Sequence, residues 1–529
     1  MMNKQGGMTI RKGPAVSGYK LAGLCCVILA GLVFYILNAT KSGLWGDEAV
    51  EYFFSKNMTG TVVGGAGTTN MYERIRYTFQ PPLYNILMYV WINVFDSEFG
   101  FRLAGILVTM AGAAGVFLAV EENVKEGIWS VLATAVYVFT NGIVNYGLEC
   151  AEYNLMLCFM AWTVYYFSRL IMRKDLKSMA GFFVFASLAV YSQYGAAFMA
   201  AGMYIAAFVL LIRQKDRKGL KQFLLISAVT LAVAVLPLLI FFTIPQMKHQ
   251  GSMAVGHGMF FLRGFIRDFF AGFKDTLGSL FGKTRAYGVL LLLILCAASM
   301  FIKKKKTAYS ILALLVTWIL YFVAVSCSYY GYNYWAPESL GTMNLGGKYS
   351  LFFIPPVVVL MISGSGILVN SLKDRSRLIT SVLTVASVLF SSVFCLVEIY
   401  SVSTDGLVIK DNCREIVELW YGREAYGSKT LIYPNEYEVF SYYLLKDERY
   451  DDSYFDSVEL CGDWIKNSGA DEITGNMKAE GYLDMDEFYF VTTDYGNHQN
   501  FITAVTNEGY DAEVLYSGAS VFIRVSKQG

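Results

Sequence analysis

Long apolar runs punctuate this chain, and they constrain its fold more than any single motif does. A helix that crosses a bilayer needs about 20 mostly apolar residues. Runs of that kind recur near 22–37, 101–120, 128–148, 153–171, 181–194, 195–212, 222–242, 287–302, 308–328, 350–370 and 378–400. Inside hydrocarbon no water satisfies the backbone, so each run must close its own hydrogen bonds as a helix. The stretch 181–212 is long for one helix and is divided near Gly195, which gives eleven expected spans. The apolar piece that follows Pro81-Pro82 and ends at Phe95 is too short to cross, and reads as re-entrant or interfacial. No small-residue cleavage site follows the first run, so it is expected to stay as an uncleaved helix.

Composition agrees. Of 529 residues 55% are hydrophobic and 16% charged, where a soluble chain would carry about a quarter charged. The formal charge of +1 hides a split. Residues 1–400 hold 33 Lys and Arg against 18 Asp and Glu, and residues 401–529 hold 10 against 24. The reading is a polytopic α-helical membrane protein of about eleven transmembrane helices with a C-terminal extracytoplasmic α/β domain. Its parts are a polar cytoplasmic tail at 1–20, a membrane domain at 21–400 with a first outer loop at 38–80, and an acidic soluble domain at 401–529.

The positive-inside rule orients it. Lys125, then Arg173, Lys174 and Lys177, then Arg213 through Lys221, then Lys303–Lys306, then Lys373, Arg375 and Arg377 fall on alternate loops, level with residues 1–20. The N-terminus is therefore expected inside a plasma membrane and the acidic domain outside. Merging 181–212 into one span would break the pattern. In this topology Asp47, Glu149, Glu152 and the 329–349 loop face outward.

In the soluble domain, 430–433 and 488–491 read as buried strands, 436–445 and 498–507 as helices, and 514–525 as a closing strand or hairpin. It has no GxGxxG or P-loop, so no nucleotide is expected. Three histidines without ligand spacing, and nine cysteines without a CxxC, argue against a metal centre of the usual kind. A Cys413–Cys461 disulfide is a weak expectation.

Chemistry gathers at the outer boundary. Leu44-Trp45-Gly46-Asp47-Glu48 follows the first span directly, and carboxylates at a membrane surface are costly unless solvated or used. Asp47 can cap the following helix, or can act as a general base on an acceptor hydroxyl or amine. Glu149 and Glu152, three apart at the start of the fourth span, would share a helix face. Either they are solvated interfacial groups, or they orient an acceptor or hold a divalent cation. Lys348, Arg74 and Arg76 are cations at helix mouths, suited to clamping a phosphate leaving group or to ordinary loop solvation. The aromatic cluster Tyr329–Trp335 fits an interfacial belt better than a sugar platform.

With these residues placed, the chain resembles the GT-C superfamily of polyprenyl-phosphate-sugar glycosyltransferases, in the bacterial branch of protein mannosyltransferases and lipid A aminoarabinose transferase. The resemblance rests on Gly46-Asp47-Glu48, on Gln80-Pro81-Pro82-Leu83-Tyr84, on Glu149-Cys150-Ala151-Glu152-Tyr153, and on Gly347-Lys348-Tyr349 before Pro355-Pro356. It extends over roughly residues 20–370. It implies inverting transfer of a sugar from a polyprenyl phosphate to a cell-envelope glycan, lipid or protein at the outer face. Asp47 would be the base, Glu149 a second acidic residue, and Glu48 and Glu152 acceptor-orienting groups. Lys348, Arg74 and Arg76 would hold the donor phosphate, and Gln80, Tyr84, Tyr153, Gln193 and Tyr349 would line the pocket. Relatives often carry His where this chain has Gln80 and Gln193, and Arg where it has Ala151. Metal-independent chemistry is therefore the expectation, with a divalent cation left open and no nucleic-acid partner. The rival class is a transporter or a flippase for lipid-linked sugars, which predicts ionisable residues near the midplane instead.

Overall fold

Among the described residues helix occupies every expected span, but the helices are unequal. The structure is a computed structural model, and it describes residues 18–56, 75, 80–250, 265–283, 285–302, 306–326, 347–373, 376–405, 412–462, 469–493 and 498–528. Among these, seven helices are long and apolar enough to cross a membrane: Gly18–Asn38, Glu98–Val124, Tyr153–Arg173, Ala196–Arg213, Arg217–Lys248, Gly347–Asn370 and Arg377–Val402. Two bent pairs raise the count to nine, against the eleven expected. Gly127–Val138 meets Asn141–Gly147 at 53°, and Phe269–Phe281 meets Arg285–Ala298 at 115°. The first bend falls at Thr140, whose hydroxyl bonds back to the Val136 carbonyl, a contact that competes with the helix ladder and bends it. The two remaining runs, Leu176–Ser192 and Ala308–Ala324, are apolar helices of 17 residues each. The 181–212 stretch does break where the charge pattern required, between Ser192 and Ala196. The piece after Pro82 is a ten-residue helix, Leu83–Ile92.

Small residues let these helices close on one another. A Cβ at Gly115 would stand 3.0 Å from the backbone of Ala161 and Trp162, so Glu98–Val124 lies directly against Tyr153–Arg173. Gly202 does the same against Ala313 and Thr317. Ion pairs tie the lysine-rich end of the bundle: Lys20 to Glu121, Arg173 to Glu122 at 2.5 Å, and Lys174 to Asp216 at 3.6 Å.

The acidic domain sits at the other end. Its sheet runs β2-β1-β3-β5-β4, with β1 Lys429–Ile432, β2 Val458–Leu460, β3 Glu487–Thr493, β4 Tyr510–Ser517 and β5 Ser520–Lys527. β1 pairs parallel with β2 and β3, while β5 pairs antiparallel with β3 and β4. The two strands read from sequence and the closing hairpin are all present. The short β2 and the helices Cys413–Gly422 and Ala470–Ala479 are additional. Cys413 and Cys461 are free thiols, because they belong to separate apolar cores. The core that holds Cys413 is continuous with Leu44, Ala49, Phe53 and Phe101 of the membrane part, so the two parts share one interior.

Candidate active site

The helix Gly46–Lys56 organises the site, and its first turn separates two neighbouring carboxylates. Trp45 precedes the helix, and its carbonyl accepts from the Ala49 N–H at 3.0 Å. Glu48, in the third helical position, reaches back to accept from the Trp45 N–H at 3.2 Å, which is half of a capping box. Capping therefore falls to Glu48 and leaves the Asp47 side chain to another use. The other Glu48 oxygen accepts from the Cys150 N–H at 2.7 Å. Arg102 completes the set, 3.1 Å from Glu48, and also donates to the carbonyls of Ala39, Ser42 and Gly43. Glu48 was expected to orient an acceptor. Instead both of its oxygens are engaged within the protein, with its side chain 3% exposed.

Asp47 is the opposite case. Its side chain is 47% exposed, and Oδ2 accepts from Lys348 Nζ at 2.5 Å. Lys348 comes from 301 residues away in sequence. It is delivered by a 3₁₀ turn, Gly347–Phe353, that runs into a helix with Pro355 and Pro356 in its first turn. Gly347 enters that turn at φ +75°, and its N–H donates to Ser279 Oγ at 2.6 Å. A left-handed φ of this kind suits glycine. Three rings surround the ammonium: Trp45 at 5.4 Å, Tyr349 at 5.7 Å and Tyr153 at 6.0 Å from Nζ to centroid. Such faces attract a cation and exclude water from one side of it.

Glu149 and Glu152 do not share a helix face. The fourth span starts only at Tyr153, and both carboxylates lie in the turn before it. Both are buried. Glu152 Oε2 has no hydrogen-bond partner among the described residues. Burial, with the nearby charge of Glu51 acting the same way, holds the Glu152 carboxyl well above its ordinary range.

Glu51 is the residue that the sequence reading passed over. It follows Asp47 by four positions on one helix, a spacing that places both on one face and could have flagged it. It is buried, and Oε2 accepts from Asn85 Nδ2 at 2.6 Å. Burial pushes its carboxyl up to about 7, against the opposing hydrogen bonds of Asn85 and Gln80. Gln80 thus touches the site through Glu51, and its carbonyl accepts from Gln246 Nε2 at 2.7 Å. Gln246 in turn takes a hydrogen bond from Tyr194 at 2.8 Å, beside the buried Gln193. Tyr84 is buried near Glu51, Glu152 and Cys150. Arg74 and Arg76 lie outside the described residues, as does the Tyr329–Trp335 cluster. Among the described residues no three His, Cys, Asp or Glu side chains come together as metal ligands.

Residues 80–241 match the family model described as dolichyl-phosphate-mannose-protein mannosyltransferase. No curated protein matches the chain by sequence. Among solved structures, ArnT from Cupriavidus metallidurans in the apo state is similar at TM-score 0.57 and 11% identity, over 96% of this chain and 98% of that one. ArnT bound to undecaprenyl phosphate gives 0.54 and 12%, over the same shares of the two chains. The oligosaccharyltransferase of Archaeoglobus fulgidus gives 0.55 and 12%, over 96% of this chain and 73% of that one. At such identities it is the fold that is shared. The family model, over residues 80–241, and the shared fold agree with the resemblance to the GT-C superfamily, and the chain carries the fold of ArnT and of the archaeal oligosaccharyltransferase.

Proposed function

We propose that this chain is an inverting glycosyltransferase that moves a sugar from a polyprenyl-phosphate donor to an acceptor at the outer face of the membrane, with Asp47 as general base. The observation that carries the reading is the Asp47–Lys348 pair, half-open to solvent and ringed by Trp45, Tyr153 and Tyr349. A transfer from a lipid phosphate needs a base for the acceptor proton and a cation for the leaving phosphate. The pair supplies both at contact distance.

The acceptor O–H or N–H gives its proton to Asp47 as the acceptor atom attacks the anomeric carbon. The bond from that carbon to the phosphate oxygen breaks, its electrons leave with the lipid phosphate, and Lys348 stabilises the charge that develops. One displacement inverts the anomeric centre. A donor phosphate arriving beside Lys348 competes with Asp47 for the ammonium, so donor binding uncovers the base. Arg74 and Arg76 would add to the phosphate clamp. Glu152, whose burial favours the neutral carboxyl, can donate a hydrogen bond to a sugar or acceptor hydroxyl. In this reading Glu149 is the second acidic residue, and Gln80, Tyr84, Tyr153, Gln193 and Tyr349 contact the substrates. Support for a polyprenyl-linked donor comes from the ArnT complex with undecaprenyl phosphate, whose fold this chain shares. The alternating lysine and arginine loops support an outward-facing site.

The test is transfer by the purified protein in nanodiscs, given a panel of labelled polyprenyl-phosphate sugars and envelope extracts as acceptors. Release of polyprenyl phosphate with label on an acceptor is expected. Lipid scrambling in liposomes without any transfer would replace this reading with the flippase.

A further inference from the structure

The soluble domain touches the acidic helix at both ends, and the contacts form a connected set. Arg414, in the domain's first helix, donates to both Glu98 oxygens, at 2.6 and 2.5 Å, and to the Thr40 carbonyl at 3.1 Å. Glu98 lies 3.2 Å from Arg102, and Arg102 lies 3.1 Å from Glu48. Glu48 ends the series on the Cys150 N–H, next to Glu149. Charges alternate along this line from the domain surface to the turn that bears the second acidic pair. In parallel, the hydroxyl of Tyr443 accepts from the Leu44 N–H at 2.6 Å and donates to Glu98 at 3.3 Å. It approaches so closely that a Cβ on Gly43 would stand 3.0 Å from it. At the far end of the helix, Tyr442 packs edge-on to Tyr52 at 4.8 Å, and Lys446 meets Asp96 at 2.7 Å. Asp96 also takes Lys56 at 2.8 Å and the Tyr52 hydroxyl at 2.9 Å.

We infer that the C-terminal domain is a brace for the catalytic helix, and that Arg414 and Tyr443 are positioning residues for Asp47, acting through Glu98, Arg102 and the 39–44 segment. The inference rests on the proposed role of Asp47 for its kinetic consequence, though not for its structural one. Leu44 is three residues from Asp47 and one from Trp45, whose ring faces Lys348. A hydroxyl that fixes the Leu44 N–H therefore fixes the approach of Asp47 and Trp45 to the ammonium. Reacting groups misplaced by about 1 Å can lose roughly 100-fold in rate. A domain that only docked the acceptor would need no line of alternating charges into the membrane part. A mere lid would need no hydrogen bond to the backbone that leads into the catalytic turn.

The experiment uses the full chain in nanodiscs with Tyr443→Phe, which keeps the ring and removes the hydroxyl, and with Arg414→Met and Arg414→Lys. Hydrogen exchange of the segment 39–52 is read first, with β1 and β3 as internal controls for the fold of the domain. The brace predicts faster exchange in 39–52 for Tyr443→Phe and Arg414→Met with β1 and β3 unchanged, and partial rescue by Arg414→Lys. With donor and acceptor in hand, it predicts kcat lowered about tenfold or more, with both KM values within about twofold of wild type. Exchange in 39–52 that stays at the wild-type level in Tyr443→Phe overturns the brace. So does a raised acceptor KM at unchanged kcat, which would make the domain a docking surface. If the wild type transfers no sugar while exchange responds as stated, the proposed function fails and the brace stands.

Discussion

Asp47 and Glu48 are sequence neighbours in opposite environments. Glu48 is buried, and guanidinium, capping N–H and a distant backbone N–H occupy it fully. Asp47 is half-exposed, and among the described residues its ion-pair partner is Lys348, which a phosphate can draw away. The comparison teaches that adjacent acids on one helix turn divide the work: one fixes the turn so that the other can be presented. A buried charge that loses its partner is far costlier than an exposed one.

That difference can be broken at the Glu48 side first. Arg102→Met leaves Glu48 buried without its cation, and the expected loss is about 3–5 kcal/mol, read as a large fall in melting temperature or as failure to accumulate in the membrane. Glu51 gives the next effect. Its carboxyl sits at about 7 in the fold against an ordinary 4.5, so the folded chain holds a proton that the unfolded chain releases. Stability from that proton is complete below about pH 4.5 and is lost as pH rises through 7. Glu51→Gln should remove most of that decline, which amounts to about 3 kcal/mol at its upper bound, in melts at pH 5 and pH 8. Lys348→Met should keep the fold and lower kcat/KM by about 100-fold, chiefly through the step that releases phosphate. Lys446→Met, at the rim of the brace, should cost under about 1 kcal/mol, because its pair with Asp96 is solvent-accessible.

Much of this architecture was legible in the residues, for a physical reason. Spans advertise themselves because hydrocarbon admits only apolar helix, and the lysine loops locate their ends. Asp47 and Lys348, which the fold brings to 2.5 Å, drew notice because charges at a membrane boundary stand out against an apolar background. What stayed hidden depends on pairing across the chain. Arg102 reads from sequence as one charge at the start of a span, four residues after Glu98, and nothing local says that it also meets Glu48 and three carbonyls. Glu51 stayed hidden because its environment comes from Asn85, on the helix Leu83–Ile92, and from Gln80 just before it. The bend at Thr140 and the 17-residue helices also escaped the span count, since length in sequence does not report a break in direction. The domain's helix Cys413–Gly422 was missed, although its buried face, Cys413, Ile416, Val417 and Trp420, has helical spacing.

The central claim is that Asp47, and not its buried neighbour, takes the acceptor proton. It is tested most directly by single-turnover transfer of labelled sugar from a polyprenyl-phosphate donor, comparing wild type with Asp47→Asn in nanodiscs at matched folded protein. The account predicts a loss of about 100-fold to 10,000-fold in the chemical step, with donor binding retained and the melting temperature unchanged. Transfer by Asp47→Asn at the wild-type rate would contradict it.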